Sequence, residues 1–149
     1  MMIKSLRNML LLAAGALLVA ACSSSPQPEV EAPAARLEGP VVDQRWNLLL
    51  VGTDERLSLP QPAWFRIGVD GRVTGSDGCN QMTGRARLGE NQRLAFTELA
   101  TSRHACPRRE EAARVTGMLD TAYRYLIDHD RLVFFGPDQR VLGGWRKAD

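Results

Sequence analysis

Two hydrophobic periods divide the chain downstream of residue 40. The first period is two. Trp46 to Val51 is a short apolar run that fits one strand. From Ala63 to Ser76 the chain reads AWFRIGVDGRVTGS. Here Trp64, Arg66 and Gly68 alternate with Phe65, Ile67 and Val69, and Asp70-Gly71 supplies the positive-φ pair of a tight hairpin. GRARL and RLAFTEL flank the turn signal Gly89-Glu90-Asn91 as a second hairpin. RLVFFG and RVLGGW flank Gly136-Pro137-Asp138 as a third. The second period is helical. Between Arg108 and Ile127, Ala112, Val115, Leu119, Ala122 and Leu126 form a stripe, with Met118 and Tyr123 beside it. Pro107 suits a first helical position, and Glu110 and Glu111 suit the positive end of the dipole. The spacing therefore predicts one helix over about residues 107–127, after which Asp128-His129-Asp130 turns the chain into the next strand.

Strands, then a helix, then strands predict an α+β fold. Its sheet is mostly antiparallel and made of hairpins, with the single helix packed on it. Residues 41–149 are long enough for one core and show no internal repeat.

The start of the chain has a different character. Lys4 and Arg7 precede an apolar run from Met9 to Ala21, which is too short to span a bilayer and has the length of a signal-peptide core. It ends Val19-Ala20-Ala21-Cys22, which resembles a bacterial lipobox. The expectation is a signal peptide over 1–21, with Cys22 as the lipid attachment site carrying diacylglycerol and an amide-linked acyl chain such as palmitate. Two or more chains are enough for stable anchoring. Ser23, rather than an acid, points to the outer membrane. Residues 23–40, rich in Ser, Pro, Ala and Glu, read as a flexible tether.

Cleavage also changes the charge. The sequence holds 19 basic and 17 acidic residues; losing Lys4 and Arg7 leaves 17 of each. A balanced chain lacks the basic excess of a nucleic-acid binder.

The domain's motifs resemble those of the META domain, the HslJ-like family of bacterial lipoproteins. The resemblance rests on Trp46, then GRVTGSDGCNQMTG, then LAFTELATSRHACP, then a helix and a closing hairpin, and it covers about Val41 to Trp145. The family implies an envelope protein linked to stress tolerance and offers no catalytic residues to carry over. The chain is thus expected to be a non-enzymatic module for binding or envelope maintenance on the periplasmic face of the outer membrane. Its partners would be the membrane, through the lipid, and an envelope protein or anionic envelope component.

With Cys22 lipidated, Cys79 and Cys106 are an even pair in an oxidising compartment, which favours a structural disulfide. A thiol-redox or metal-dependent envelope enzyme using Cys79 and Cys106, with His104 as a further metal ligand, stays open as an alternative, and so does a periplasmic inhibitor of a lytic enzyme or protease. Gly75, Gly78 and Gly84 read as positions of positive φ or bulges rather than a phosphate loop, with Asn80 tolerating the same backbone region. Arg103, His104, Arg108 and Arg109 crowd the predicted helix start and are candidate anion ligands. No metal or other cofactor is expected. Asp128, His129 and Asp130 are adjacent and need not converge. Trp46, Trp64 and Trp145 read as core or sheet-face aromatics.

Overall fold

The computed structural model describes residues 35–149; the expected signal peptide, Cys22 and the tether up to residue 34 lie outside the described residues. Short alternating segments separated by turn residues become strands β1 (Arg45–Val51), β2 (Trp64–Ile67), β3 (Arg72–Ser76), β4 (Gln81–Gly89) and β5 (Arg93–Thr101). Helix α1 (Arg109–Thr121) follows, and then β6 (Arg124–Asp128), β7 (Arg131–Phe135) and β8 (Val141–Lys147). Each strand pairs antiparallel with the next, and β8 pairs back onto β1, so the sheet closes into a barrel. Closure removes the free edges that an open sheet of this size would expose. The single domain with a mostly antiparallel sheet and one helix is as expected, but the molecule is dominated by strands.

The helix is shorter than its apolar stripe. It ends at Thr121, and Ala122 (φ −58°, ψ 130°) is already extended. Tyr123 donates its N–H to Phe135 O at 2.9 Å, and Tyr125 donates to Gln92 O at 3.0 Å. The expected helix over 107–127 is therefore corrected: its last turn is strand β6. Leu126 fits the helical spacing, but Tyr125 and Ile127 also fit a period of two, and they stand opposite the buried Phe134 and Leu132. Barrel closure favours the strand. At the other end Pro107 precedes the N-cap Arg108 rather than opening the helix. Asp128-His129-Asp130 is likewise a strand-to-strand turn, not a helix-to-strand turn, with His129 at φ 55°.

Inward residues of alternate positions build the core. Phe65, Phe134 and Trp145 are fully buried, and Phe96 nearly so. Phe65 meets Trp145 edge-on with ring centroids 4.8 Å apart, and it meets Phe96 at 5.6 Å. Burial of each such side chain contributes about 1.5–3 kcal/mol. Trp46 is also buried and donates its indole N–H to Val41 O at 3.2 Å. Among the described residues Trp145 Nε1 has no hydrogen-bond partner, and its ring packs against Phe65 and Phe134. Trp64 is half-buried beneath the Arg45 guanidinium, 4.1 Å from the ring centroid.

Strand direction alternates, so the loops fall on two rims. The near rim carries residues 35–44, the turns at 68–71, 90–92 and 129–130, and the last residues of the chain. The far rim carries residues 52–63, the turn at 77–80, α1 and the turn at 136–140. Leu37 N–H already bonds to Val69 O at 2.8 Å, ahead of the expected domain start at Val41. The β5–β6 ladder is the narrowest: it has one register pair, Arg93 opposite Arg124, against seven for β4–β5. Helix α1 packs beside the remainder of β5, with Val115 and Leu119 fully buried.

Candidate functional site

The turn between β3 and β4 is organised by a carboxylate. Asp77 Oδ1 accepts the backbone N–H of Cys79 at 2.8 Å and of Asn80 at 2.6 Å, while Ser76 Oγ accepts Gly78 N–H at 3.1 Å. This is an Asx-type turn, for which Asp is well suited. Two successive N–H groups that could have cradled an external anion are thereby filled from within. Gly78 adopts φ 95°, and any Cβ there would lie 2.6 Å from the Leu59 side chain. Gly75 and Gly84 lack positive φ; they are fixed by close approach of Trp64 O and of Leu99, respectively.

Asn80 joins this turn to the segment leading into α1. Its Oδ1 accepts His104 N–H at 2.8 Å and Ser102 Oγ–H at 3.3 Å. Ser102 Oγ in turn accepts Gln81 N–H at 3.1 Å. Asn80 does not have positive φ, so its expected role is corrected: it is a buried bracket between two segments, not a residue chosen for backbone tolerance. Covalently the same two segments are joined by Cys79–Cys106, with Cα atoms 5.8 Å apart.

These ties leave a cleft of about 610 Å³ against α1. Arg103, His104 and Arg109 line it, and the buried Asp77 and Asn80 form part of its wall. The fourth candidate, Arg108, turns away. It pairs with Glu111 and donates Nε–H to Ser58 O at 2.9 Å, while Glu111 Oε2 accepts Ser58 N–H at 3.0 Å. Arg108 thus helps hold the β1–β2 loop on the helix. Arg114 does the same through both oxygens of Glu55, at 2.6 Å each. The hydrogen bond from Arg114 holds the Glu55 carboxyl below its ordinary pKa. Asp70 is also lowered, chiefly by the backbone N–H of Arg72, and Tyr125 is raised by burial.

The Asp-His-Asp run does not converge. His129 Nδ1 lies 2.6 Å from Asp128 Oδ1 on an exposed turn, whereas Asp130 pairs with Arg146 at 3.4 Å. Among the described residues no three His, Cys, Asp or Glu side chains gather around a metal position.

Asp77 and Asn80 were missed as organising residues. The Ser-Asp-Gly sequence carries an Asx-turn signal, but nothing local shows that Asn80 reaches His104.

Comparison with known proteins places the fold. The META domain family profile matches residues 39–149. A DUF4847 family protein from Bacteroides vulgatus is 13% identical with a TM-score of 0.56; the match covers 74% of this chain and 97% of that one. A protein from Burkholderia xenovorans is 18% identical with a TM-score of 0.59, covering 83% of this chain and 97% of that one. At these identities the likeness concerns the fold alone. No significant match is found among curated proteins.

Proposed function

The chain belongs to the META domain family, and from that premise we propose that it is a lipid-anchored envelope protein whose barrel binds rather than catalyses. In this reading Cys22 carries the lipid at the periplasmic face of the outer membrane. The barrel then serves envelope maintenance or stress tolerance by holding an anionic envelope component. The observation that carries a binding role is the cleft beside α1. Three cationic or cationisable side chains (Arg103, His104 and Arg109) line a space whose walls are fixed by a disulfide and by Asn80. Preorganised walls limit the ordering loss on binding. The cleft is on the far rim, away from residues 35–44 where the chain joins the barrel.

Two measurements test the reading. Labelled palmitate should enter the wild-type chain and not Cys22→Ser, and the variant should leave the membrane fraction. Equal labelling would refute the anchor. Binding of the full chain to purified peptidoglycan or anionic vesicles should weaken in Arg103→Ala/Arg109→Ala. Arg108→Ala should lower stability and leave binding near wild type. Unchanged binding in the double variant would assign any affinity to another surface.

A further inference from the structure

The turn after β2 and the turn after β7 are built alike. In Gly68–Arg72 and in Gly136–Arg140 the first glycine N–H bonds to the arginine carbonyl, at 2.8 and 2.9 Å. In each, the fourth residue N–H bonds back to the glycine carbonyl, at 2.9 and 3.0 Å. Asp70 and Asp138 each accept the arginine N–H, at 3.0 and 3.1 Å. The fourth position has positive φ in both turns: Gly71 at 77° and Gln139 at 65°. Gly71 is also confined, since a Cβ there would meet Ala86 O at 3.1 Å. Gln139 is exposed, and there a glycine would serve the turn with less strain.

Gln139 faces an open cleft of about 700 Å³ at the β5–β6 seam. The single-pair register offsets the strands, so the β4–β5 turn of the near rim lies beside Tyr123, Arg124 and Gln139. Two more left-handed residues, Asn91 and Gln92 (both φ 55°), line the same space. Among the described residues, three of the six non-glycine residues with positive φ thus meet in one cleft. Asn91 and Gln92 take this conformation as the central pair of the β4–β5 hairpin turn, whereas Gln139 keeps it where glycine would serve with less strain. Arg93 and Arg124 stand directly opposite each other, and like charges in cross-strand register repel, which an anion beside them would relieve. No ion pair engages either guanidinium among the described residues. Arg93 is stacked on the Tyr123 ring at 3.7 Å, which fixes its plane. Glu90 also lines the cleft and is its one carboxylate.

From this we propose a second binding site, at the β5–β6 seam, for an acidic carbohydrate. The paired arginines would take the carboxylate in bidentate fashion, and the three side-chain amides would exchange hydrogen bonds with sugar hydroxyls. The Tyr123 ring is already engaged by Arg93 and holds that guanidinium at the cleft. Nothing in this site overlaps the cleft beside α1.

The test is titration of the full chain in detergent with three saccharides, followed by NMR or calorimetry. They are a galacturonate oligomer, an oligomer containing N-acetylmuramic acid, and a neutral N-acetylglucosamine oligomer of the same length. One or both acidic sugars should bind, and the neutral one should bind about 10-fold more weakly or not at all. Which acidic sugar wins identifies the source of the carboxylate. Arg93→Gln/Arg124→Gln should lose about 10-fold or more in affinity. Gln139→Gly should keep or raise the melting temperature and still weaken binding, a combination that a purely structural glutamine would not give. Equal affinity for neutral and acidic sugars, binding to none, or full affinity in Gln139→Gly and the arginine double variant would each overturn the proposal. Arg66→Ala, at an arginine that pairs with Asp43 and lines neither cleft, serves as the control and should bind these sugars as the wild type does.

Discussion

A methyl group added to Gly75 would lie 2.2 Å from Trp64 O and 3.0 Å from Phe65 Cα. No rotamer can relieve a clash between backbones, so β2 and β3 would have to separate next to the fully buried Phe65. Gly75→Ala is expected to lose at least about 2 kcal/mol, read from the urea midpoint. A near-wild-type midpoint would mean that the strand pair yields easily. Asn80→Ala should cost about 1–3 kcal/mol, because the His104 amide and the Ser102 hydroxyl both lose their acceptor. Chain unfolding of the variant checks it. At this scale the sequence was partly readable. Asp77 sits in a Ser-Asp-Gly turn signal, whereas the partner of Asn80 lies 24 residues away and no local pattern encodes it.

Helix α1 illustrates what an element owes to its neighbours. Its buried residues Ala112, Val115, Met118 and Leu119 were legible as a stripe. Its end was not, because Ala122 and Leu126 extend the helical spacing through Tyr123 and Tyr125, whose backbone amides bond to Phe135 of β7 and to Gln92 of the β4–β5 turn instead. Gly117 is exposed within the helix, and a Cβ there meets nothing within 4 Å. Gly117→Ala should therefore stabilise by about 0.5–1 kcal/mol in thermal melts. The Glu55–Arg114 pair ties the β1–β2 loop to the same helix. The folded pKa of Glu55 is lowered, so its contribution is full above the unfolded carboxyl pKa and fades as pH falls through the folded value. In Glu55→Gln the stability deficit relative to wild type should be present at neutral pH and shrink in acid. A deficit independent of pH would show that the pair's charge plays no part.

Across the whole molecule, the hairpins were readable from their turn residues, but closure was not. Nothing in β1 or β8 alone states that they pair, since the match of Leu48 with Trp145 and Leu50 with Gly144 exists only once the sheet has curled. The seam cleft was hidden for the same reason: Arg93 and Arg124 meet through barrel stagger, not through spacing. The Cys79–Cys106 bond spans 27 residues of that closed structure. Opening it in Cys79→Ser/Cys106→Ser should lower stability by about 3–4 kcal/mol, chiefly through the unfolded chain. Calorimetry with and without reductant measures the difference. A loss near zero would mean that the unfolded chain keeps structure that already restricts the same segment, or that the folded state strains the bond.

Ala148 donates its N–H to Arg45 O at 2.8 Å, so the last residues lie against the first strand. A ring joined to itself in this way has no obligatory beginning. A short linker from Asp149 to Val41, with a new opening between the exposed Thr53 and Asp54 on the far rim, would preserve every strand pair while moving both chain ends to the opposite pole. Were the proposed anchor fused to the new first residue, the barrel would be held by its other rim. The direction in which the barrel points could then be varied independently of the surface it presents.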